Sequence, residues 1–141
     1  MEESLKKIFD DTKIIAAIGL SPNENKPSHK VAKFMLAHGF KIIPVYPKED
    51  FILGQKVYRS LDEIKERVDM VNVFRKAEFA FEILGQIKKR DDVKTLWLQL
   101  GIINDKAMEI AQNLGLHAIQ DRCLMIEYKK LKLEREAFQR S

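Results

Sequence analysis

The sequence predicts an α/β fold: a single Rossmann-like domain with a doubly wound, five-stranded parallel sheet held between two layers of helices. Three observations lead there. Short β-branched runs alternate with segments of helical period, the pattern of successive βαβ units. The runs lack polar alternation, as strands buried on both faces do. The 141 residues suffice for one sizeable core, so one domain is expected over 1–141, with its core at about 13–128 and a C-terminal helix at about 124–140.

Ile14-Ile15-Ala16-Ala17-Ile18 ends at Gly19 and reads as the first strand. After a polar loop, Ser28 is placed to cap a helix with Val31, Ala32, Met35 and Leu36 inward, stopped by Gly39. Ile42-Ile43-Pro44-Val45 is the second strand, and its proline removes one ladder donor. A connection containing Gly54 and a short helix near Leu61 to Glu66 lead to the third strand, Val68 to Phe74. Ala77 to Lys89 is a helix that buries Ala80, Ile83, Leu84 and Ile87. Thr95 to Leu98 is the fourth strand, Asp105 to Leu114 a helix stopped by Gly115, and His117 to Ile119 the fifth strand. The last helix lines up Leu124, Tyr128, Leu131 and Phe138. Right-handed crossovers place helices on both faces, and the expected strand order is 3-2-1-4-5 with the first strand central.

Composition narrows the function classes. Hydrophobic residues make up 45% and charged residues 33%, as in an ordinary globule. No apolar run approaches the ~20 residues of a membrane helix, and Met1-Glu2-Glu3-Ser4 has acids where a secretory signal has bases. The one cysteine, Cys123, leaves no internal disulfide or multi-cysteine metal site and points to a reducing compartment, the cytoplasm. The net charge of +4 is scattered among acids, and no aromatic pattern of an RNA-binding sheet appears. Nucleic acid and membrane are therefore not expected partners. A small phosphorylated ligand remains open, because it needs only one or two well-placed cations. The amphipathic tail would also suit a protein partner, although packing onto the sheet is the simpler account of it and the one expected.

In a doubly wound sheet, ligands bind beyond the carboxyl ends of the strands, where the winding reverses. The first strand is followed by Gly19-Leu20-Ser21-Pro22-Asn23-Glu24-Asn25-Lys26, a glycine turn leading to a helix start that suits a phosphate. Only the first glycine of the G-x-G-x-x-G fingerprint is present, and a merely polar loop fits as well. The second strand runs into Val45-Tyr46-Pro47-Lys48, with a lysine where an NAD site puts an acid. Lys48 would suit a phosphorylated ribose, as in coenzyme A or NADP, or be a solvated loop lysine. Phe74-Arg75 follows the third strand and Gln99-Leu100-Gly101 the fourth: an aromatic face, a bidentate cation, an amide and a second glycine. Asp121-Arg122-Cys123 follows the fifth, where the thiol reads either as a small hydrophobe or as a ligand-facing group. His29, His38 and His117 form no metal spacing, no serine sits in a G-x-S-x-G elbow, and no carboxylate pair stands at the strand ends. No catalytic residue is assigned. The site is built to hold a ligand.

Six stretches in register resemble the CoA-binding domain family of small stand-alone proteins, which is related to the N-terminal domain of the succinyl-CoA synthetase alpha subunit. They are Ile18 to Pro22, Ile43 to Lys48, Leu53 to Tyr58, Val71 to Arg75, Leu96 to Ile102 and Gln120 to Cys123. The resemblance implies coenzyme A across the strand ends. It implies that Gly19, Ser21, Pro22 and Asn23 line the diphosphate loop with Lys26 nearby. Val45, Pro47 and Lys48 would meet the adenosine and its 3′-phosphate, and Phe74, Arg75, Gln99 and Gly101 would border the adenine and pantetheine path. Cys123 would lie close to the pantetheine arm. The synthetase's phosphorylated histidine belongs to a second domain outside the resemblance, so ligase activity is not implied. The expectation is a non-catalytic coenzyme A or acyl-CoA binding protein. The alternative is an NADP-dependent oxidoreductase, which Lys48 permits and the incomplete fingerprint opposes.

Overall fold

A computed structural model describes residues 2–140. Five parallel strands form the sheet: β1 (Ile14–Ile18), β2 (Lys41–Val45), β5 (Met70–Val73), β6 (Thr95–Leu98) and β7 (His117–Ile119). Between β2 and β5 lies a two-stranded antiparallel ribbon, β3 (Phe51–Ile52) and β4 (Gln55–Lys56). The helices are α1 (Glu2–Asp10), α2 (Pro27–Ala37), α3 (Ala80–Lys88), α4 (Asp105–Asn113) and α5 (Leu124–Arg140).

The strands alternate their side chains between two apolar layers, so each needs hydrophobic residues on both faces. Ile15, Ala17, Met70 and Trp97 pack under α1, α2 and α5; Ala16, Ile18, Val71, Val73, Leu96 and Leu98 pack under α3 and α4. Every residue of β5 and β6 is buried. On the first face, Phe9, Phe40 and Tyr128 meet edge to face at 5.3–6.5 Å, tying α1 and α5 to the start of β2.

The strand order is β2-β1-β5-β6-β7, that is 2-1-3-4-5, and it corrects the expected 3-2-1-4-5. The central strand is β5, and β2 is an edge. Pro44 explains why. Its carbonyl accepts from the Tyr58 N–H at 2.9 Å on the side away from β1, so its missing N–H also points outward. A proline is tolerated there because no strand of the main sheet needs that donor. The segment after β2 passes along this edge, bridged between Val45 and Tyr58, and then crosses to the far side of β1. The winding therefore reverses between β1 and β5, and their carboxyl ends part at that point.

Two local expectations also change. Ser28 does not cap α2: the cap position is Lys26, no side chain caps it, and Pro27 opens the first turn. The helix expected from Leu61 to Glu66 is one 3-10 turn, Leu61–Glu63, and the one expected from Ala77 begins with a 3-10 turn before α3.

Candidate functional site

At the carboxyl ends of the strands, on the α2 side, an open cleft of ≈ 370 Å³ is lined by Gly19, Ser21, Lys26, Pro27, Ser28, Tyr46, Phe74, Gln99, Leu100 and Ile102. These residues follow β1, β2, β5 and β6, so the cleft spans the reversal of winding. Five of the residues singled out from sequence meet here: Gly19, Ser21, Lys26, Phe74 and Gln99.

The loop from Gly19 to Ser28 is held by its own short polar side chains. The Ser21 N–H donates to Ser28 Oγ at 3.0 Å, the Asn23 N–H to Ser21 Oγ at 3.1 Å, and the Asn25 N–H to Asn23 Oδ1 at 2.9 Å. His29 Nδ1 lies 2.9 Å from the Ser21 carbonyl; a carbonyl only accepts, so the hydrogen sits on Nδ1. Ser28 and His29 are buried, so this loop is fixed before any ligand arrives. Pro22 and Asn23 are exposed at its tip. His29 and Lys30 return their N–H groups to the Lys26 carbonyl, and Pro27 has none. Among the described residues, the Ser28 N–H alone in this first turn lacks an acceptor, so α2 presents one amide and its dipole to an anion rather than several.

Gly19 is required by packing. Its φ is +89°, and a methyl group on it would stand 3.0 Å from Arg75 Cδ and 3.2 Å from Cγ. The Arg75 stem fills the space that a side chain at position 19 would take.

Consecutive residues at a strand end face opposite ways, and this divides the expected site. Phe74 faces the cleft; Arg75 turns to the α3 face, its guanidinium 4.1 Å above the Phe79 ring. There Arg75, Val45, Arg59 and Leu61 line a separate hollow of ≈ 80 Å³. Val45 and Arg75 thus lie outside the main cleft. Pro47 and Lys48 are exposed in the loop after β2. Arg59 shapes that loop, with one guanidinium nitrogen donating to the carbonyls of Tyr46, Lys48 and Glu49 at 3.1, 3.0 and 2.9 Å. Gly101, with φ +86°, donates its N–H to Asp121 at 2.8 Å, which steadies the cleft's far wall. Lys26, Lys48 and Arg75 have no acidic partner among the described residues and leave three cations around this end of the sheet.

Cys123 departs from expectation. It is 9% exposed, packs in the apolar cluster with Trp97 and Leu124, and is not among the residues lining the cleft. Neighbouring Arg122 pairs with Glu127 at 3.5 Å, so its charge is already engaged. Among the described residues, no three His, Cys, Asp or Glu side chains converge as a metal site requires. A hollow of ≈ 470 Å³ at the amino ends of the strands is lined by Asp62, Lys65, Lys89, Arg90 and Asp92, whose charges largely pair with each other: Lys89 with Asp62 at 3.4 Å, Arg90 with Asp92 at 2.8 Å.

Sequence reasoning did not assign Pro27, Tyr46, Leu100 or Ile102 to the lining, nor His29 and Arg59 as supports; Ser28 was expected there only as the start of a helix facing a phosphate. Tyr46 and Ile102 lie inside the resembling stretches and were legible there. His29 and Arg59 act through backbone carbonyls, which carry no sequence signature.

Comparison with known proteins accords with this geometry. Residues 13–129 match the family described as CoA binding domain. An uncharacterised protein of Bacillus subtilis, YneT, is 35% identical over 128 residues, covering 91% of this chain and 94% of its own. A hypothetical protein from Pyrococcus horikoshii superposes with a TM-score of 0.87 at 32% identity, over 93% of this chain and 92% of that one. An ADP-forming acetate–CoA ligase of Methanocaldococcus jannaschii is 26% identical over 127 residues; the match takes in 85% of this chain but only 18% of the ligase. Over nearly its whole folded core, the chain belongs to the CoA-binding domain family.

Proposed function

We propose that this protein binds coenzyme A or an acyl-CoA in the cleft between the ends of β1 and β5, in the cytoplasm, and does not itself transform it. The observation that carries this reading is the convergence of Gly19, Ser21, Lys26, Phe74 and Gln99 at the reversal of winding, within the span that matches the family. The diphosphate would lie along the Gly19–Ser28 loop against Lys26, the Ser28 N–H and the α2 dipole. Pro47 and Lys48 would meet the adenosine and its 3′-phosphate, and Phe74, Gln99 and Gly101 would flank the arm. Val45 and Arg75 support the floor from the other face.

Non-catalytic binding is supported by the makeup of the lining: Ser21 and Ser28 are tied into the loop, and among the described residues no carboxylate or histidine lines the cleft. The oxidoreductase alternative gains no support from the family match. Native mass spectrometry of the purified protein, followed by assay with ATP, CoA and a panel of carboxylic acids, tests the reading. A retained or added ligand of CoA mass and no repeated thioester formation are expected. Sustained turnover that survives repurification would contradict the binding role, and retention of NADP instead would overturn the ligand.

A further inference from the structure

Helix α5 packs one side onto the sheet and turns the other to solvent. Leu124 and Leu131 are buried, and the Tyr128 ring meets Phe9 and Phe34. On the opposite side, about two turns apart, Ile126 is 43% exposed and Leu133 61%. Exposed apolar residues are ordinary when single and ask for no partner. The charges beside these two form a pattern that does. By helical period Lys129 and Glu136 share the flank towards α2, where Lys129 lies 5.1 Å over the Phe34 ring. Lys130 and Glu134 share the flank towards α1, where they border a small hollow with Leu5. All four are exposed. Among the described residues Glu134 and Glu136 have no basic partner and Lys129 has no acidic one. Lys130 lies 3.7 Å from Glu127, a carboxylate that Arg122 also holds at 3.5 Å.

We infer that the outward face of α5 is a self-association surface, on which two copies of this chain pair antiparallel about a two-fold axis. On each flank the lysine precedes the glutamate, and read antiparallel that order is its own complement. An axis crossing α5 near Lys132 sets Lys129 against Glu136 of the second copy on one flank and Lys130 against Glu134 on the other. Symmetry repeats each pair, as an isologous interface requires. The same axis brings the two Leu133 side chains together at the centre. A parallel pairing would set lysine against lysine, and a foreign surface of one charge would meet only half of the pattern. The face shares no residue with the cleft, so pairing and ligand binding are separate properties. One face of a 17-residue helix, about 25 Å long, buries less than the ~1,600 Å² of a standard interface, so the dimer is weak.

The test is sedimentation equilibrium of the full chain over roughly 10 µM to 1 mM at about 0.05 M salt, where exposed ion pairs are least screened. The dimer fraction should rise with concentration, fall as salt is added, and vanish in Leu133→Glu, which sets two carboxylates face to face. Two charge-reversed forms probe the pairing itself. Lys129→Glu with Lys130→Glu makes both flanks acidic, and Glu134→Lys with Glu136→Lys makes both basic. Each should be folded by circular dichroism and monomeric alone, and their equimolar mixture should associate at least about tenfold more tightly than either form by itself. Phe138→Ser is the control, because Phe138 is 84% exposed but lies on the Leu131 side of the helix, and association should not change. A wild type that stays monomeric throughout would leave the face to solvent or to a different protein and overturn the inference. A mixture no tighter than its components would overturn it too. Loss of association in Phe138→Ser, with Leu133→Glu unaffected, would move the contact elsewhere and do the same.

Discussion

Single residues at this site matter through where their backbone puts them. Lys48 sits on an exposed loop that Arg59 organises through three carbonyls, and its ammonium has no acidic partner among the described residues. A charge-assisted hydrogen bond to a phosphate contributes about 1.5–3 kcal/mol. Lys48→Glu should therefore weaken coenzyme A at least about tenfold and leave dephospho-CoA nearly unchanged, as calorimetric titration of both ligands would report. Equal losses would place Lys48 at the diphosphate instead. Cys123 gives the opposite lesson. From the sequence the thiol reads either as a small hydrophobe or as ligand-facing, and the structure packs it into the core beside Trp97 and Leu124, where α5 begins. In the native protein it should react with an aromatic disulfide reagent far more slowly than after unfolding in denaturant, and CoA disulfide should give no rapid adduct by intact mass. Fast native labelling would mean that the α5 start opens readily.

At the scale of elements, the strands were legible and their junctions less so. Apolar runs such as Ile14–Ile18 and Thr95–Leu98 mark strands because a parallel strand must bury both faces. The ribbon of β3 and β4 is two residues per strand, too short for any period to register. Ser28 resembled a cap because its residue type favours one, but its hydroxyl accepts from Ser21 across the loop, a tertiary contact that local propensity does not encode. Arg90 shows how such junctions are fixed. Its guanidinium donates to the carbonyls of Leu61, Ile64 and Glu66 at 3.2, 2.7 and 2.9 Å and holds Asp92 through two bonds at 2.8 and 3.0 Å. Removing it leaves several carbonyl acceptors unpaired and the half-buried Asp92 carboxylate without its cation, held by the Val68 N–H, so Arg90→Ala should cost about 3 kcal/mol in chemical denaturation.

Asp92 also carries a pH signature. Burial acts to raise its pKa, but the hydrogen bonds from Arg90 and the Val68 N–H and the Arg90 charge outweigh it, and the group lies below the ordinary carboxylate value. A depressed folded pKa contributes stability that is fully present above the unfolded pKa and is lost as pH falls through the folded value. Denaturation midpoints should drop below about pH 4, and Asp92→Asn should remove part of that drop. A wild-type and mutant with parallel pH profiles would assign the acid sensitivity to other groups.

For the whole molecule, the alternation of elements gave the fold class, and the reversal of winding gave the site. The strand order was the part that alternation alone could not settle. Pro44 held the information: a strand that lacks an interior donor belongs at an edge, and placing β2 there leaves β5 central and opens the cleft between β1 and β5. The site residues followed unevenly for a related reason. Residues in the loop after β1 converge because one loop carries them, whereas Phe74 and Arg75 are adjacent in sequence and end on opposite faces of the sheet.

Whether coenzyme A occupies the cleft at the β1–β5 reversal can be read from backbone amide chemical shifts as coenzyme A is added to isotopically labelled protein. Saturating changes should concentrate on Gly19, Ser21, Ser28, Phe74, Gln99 and Gly101, with the amino ends of the strands around Arg90 unmoved. Changes centred on Arg90 and Lys89, or on the outer face of α5 around Leu133, would contradict occupancy of the cleft.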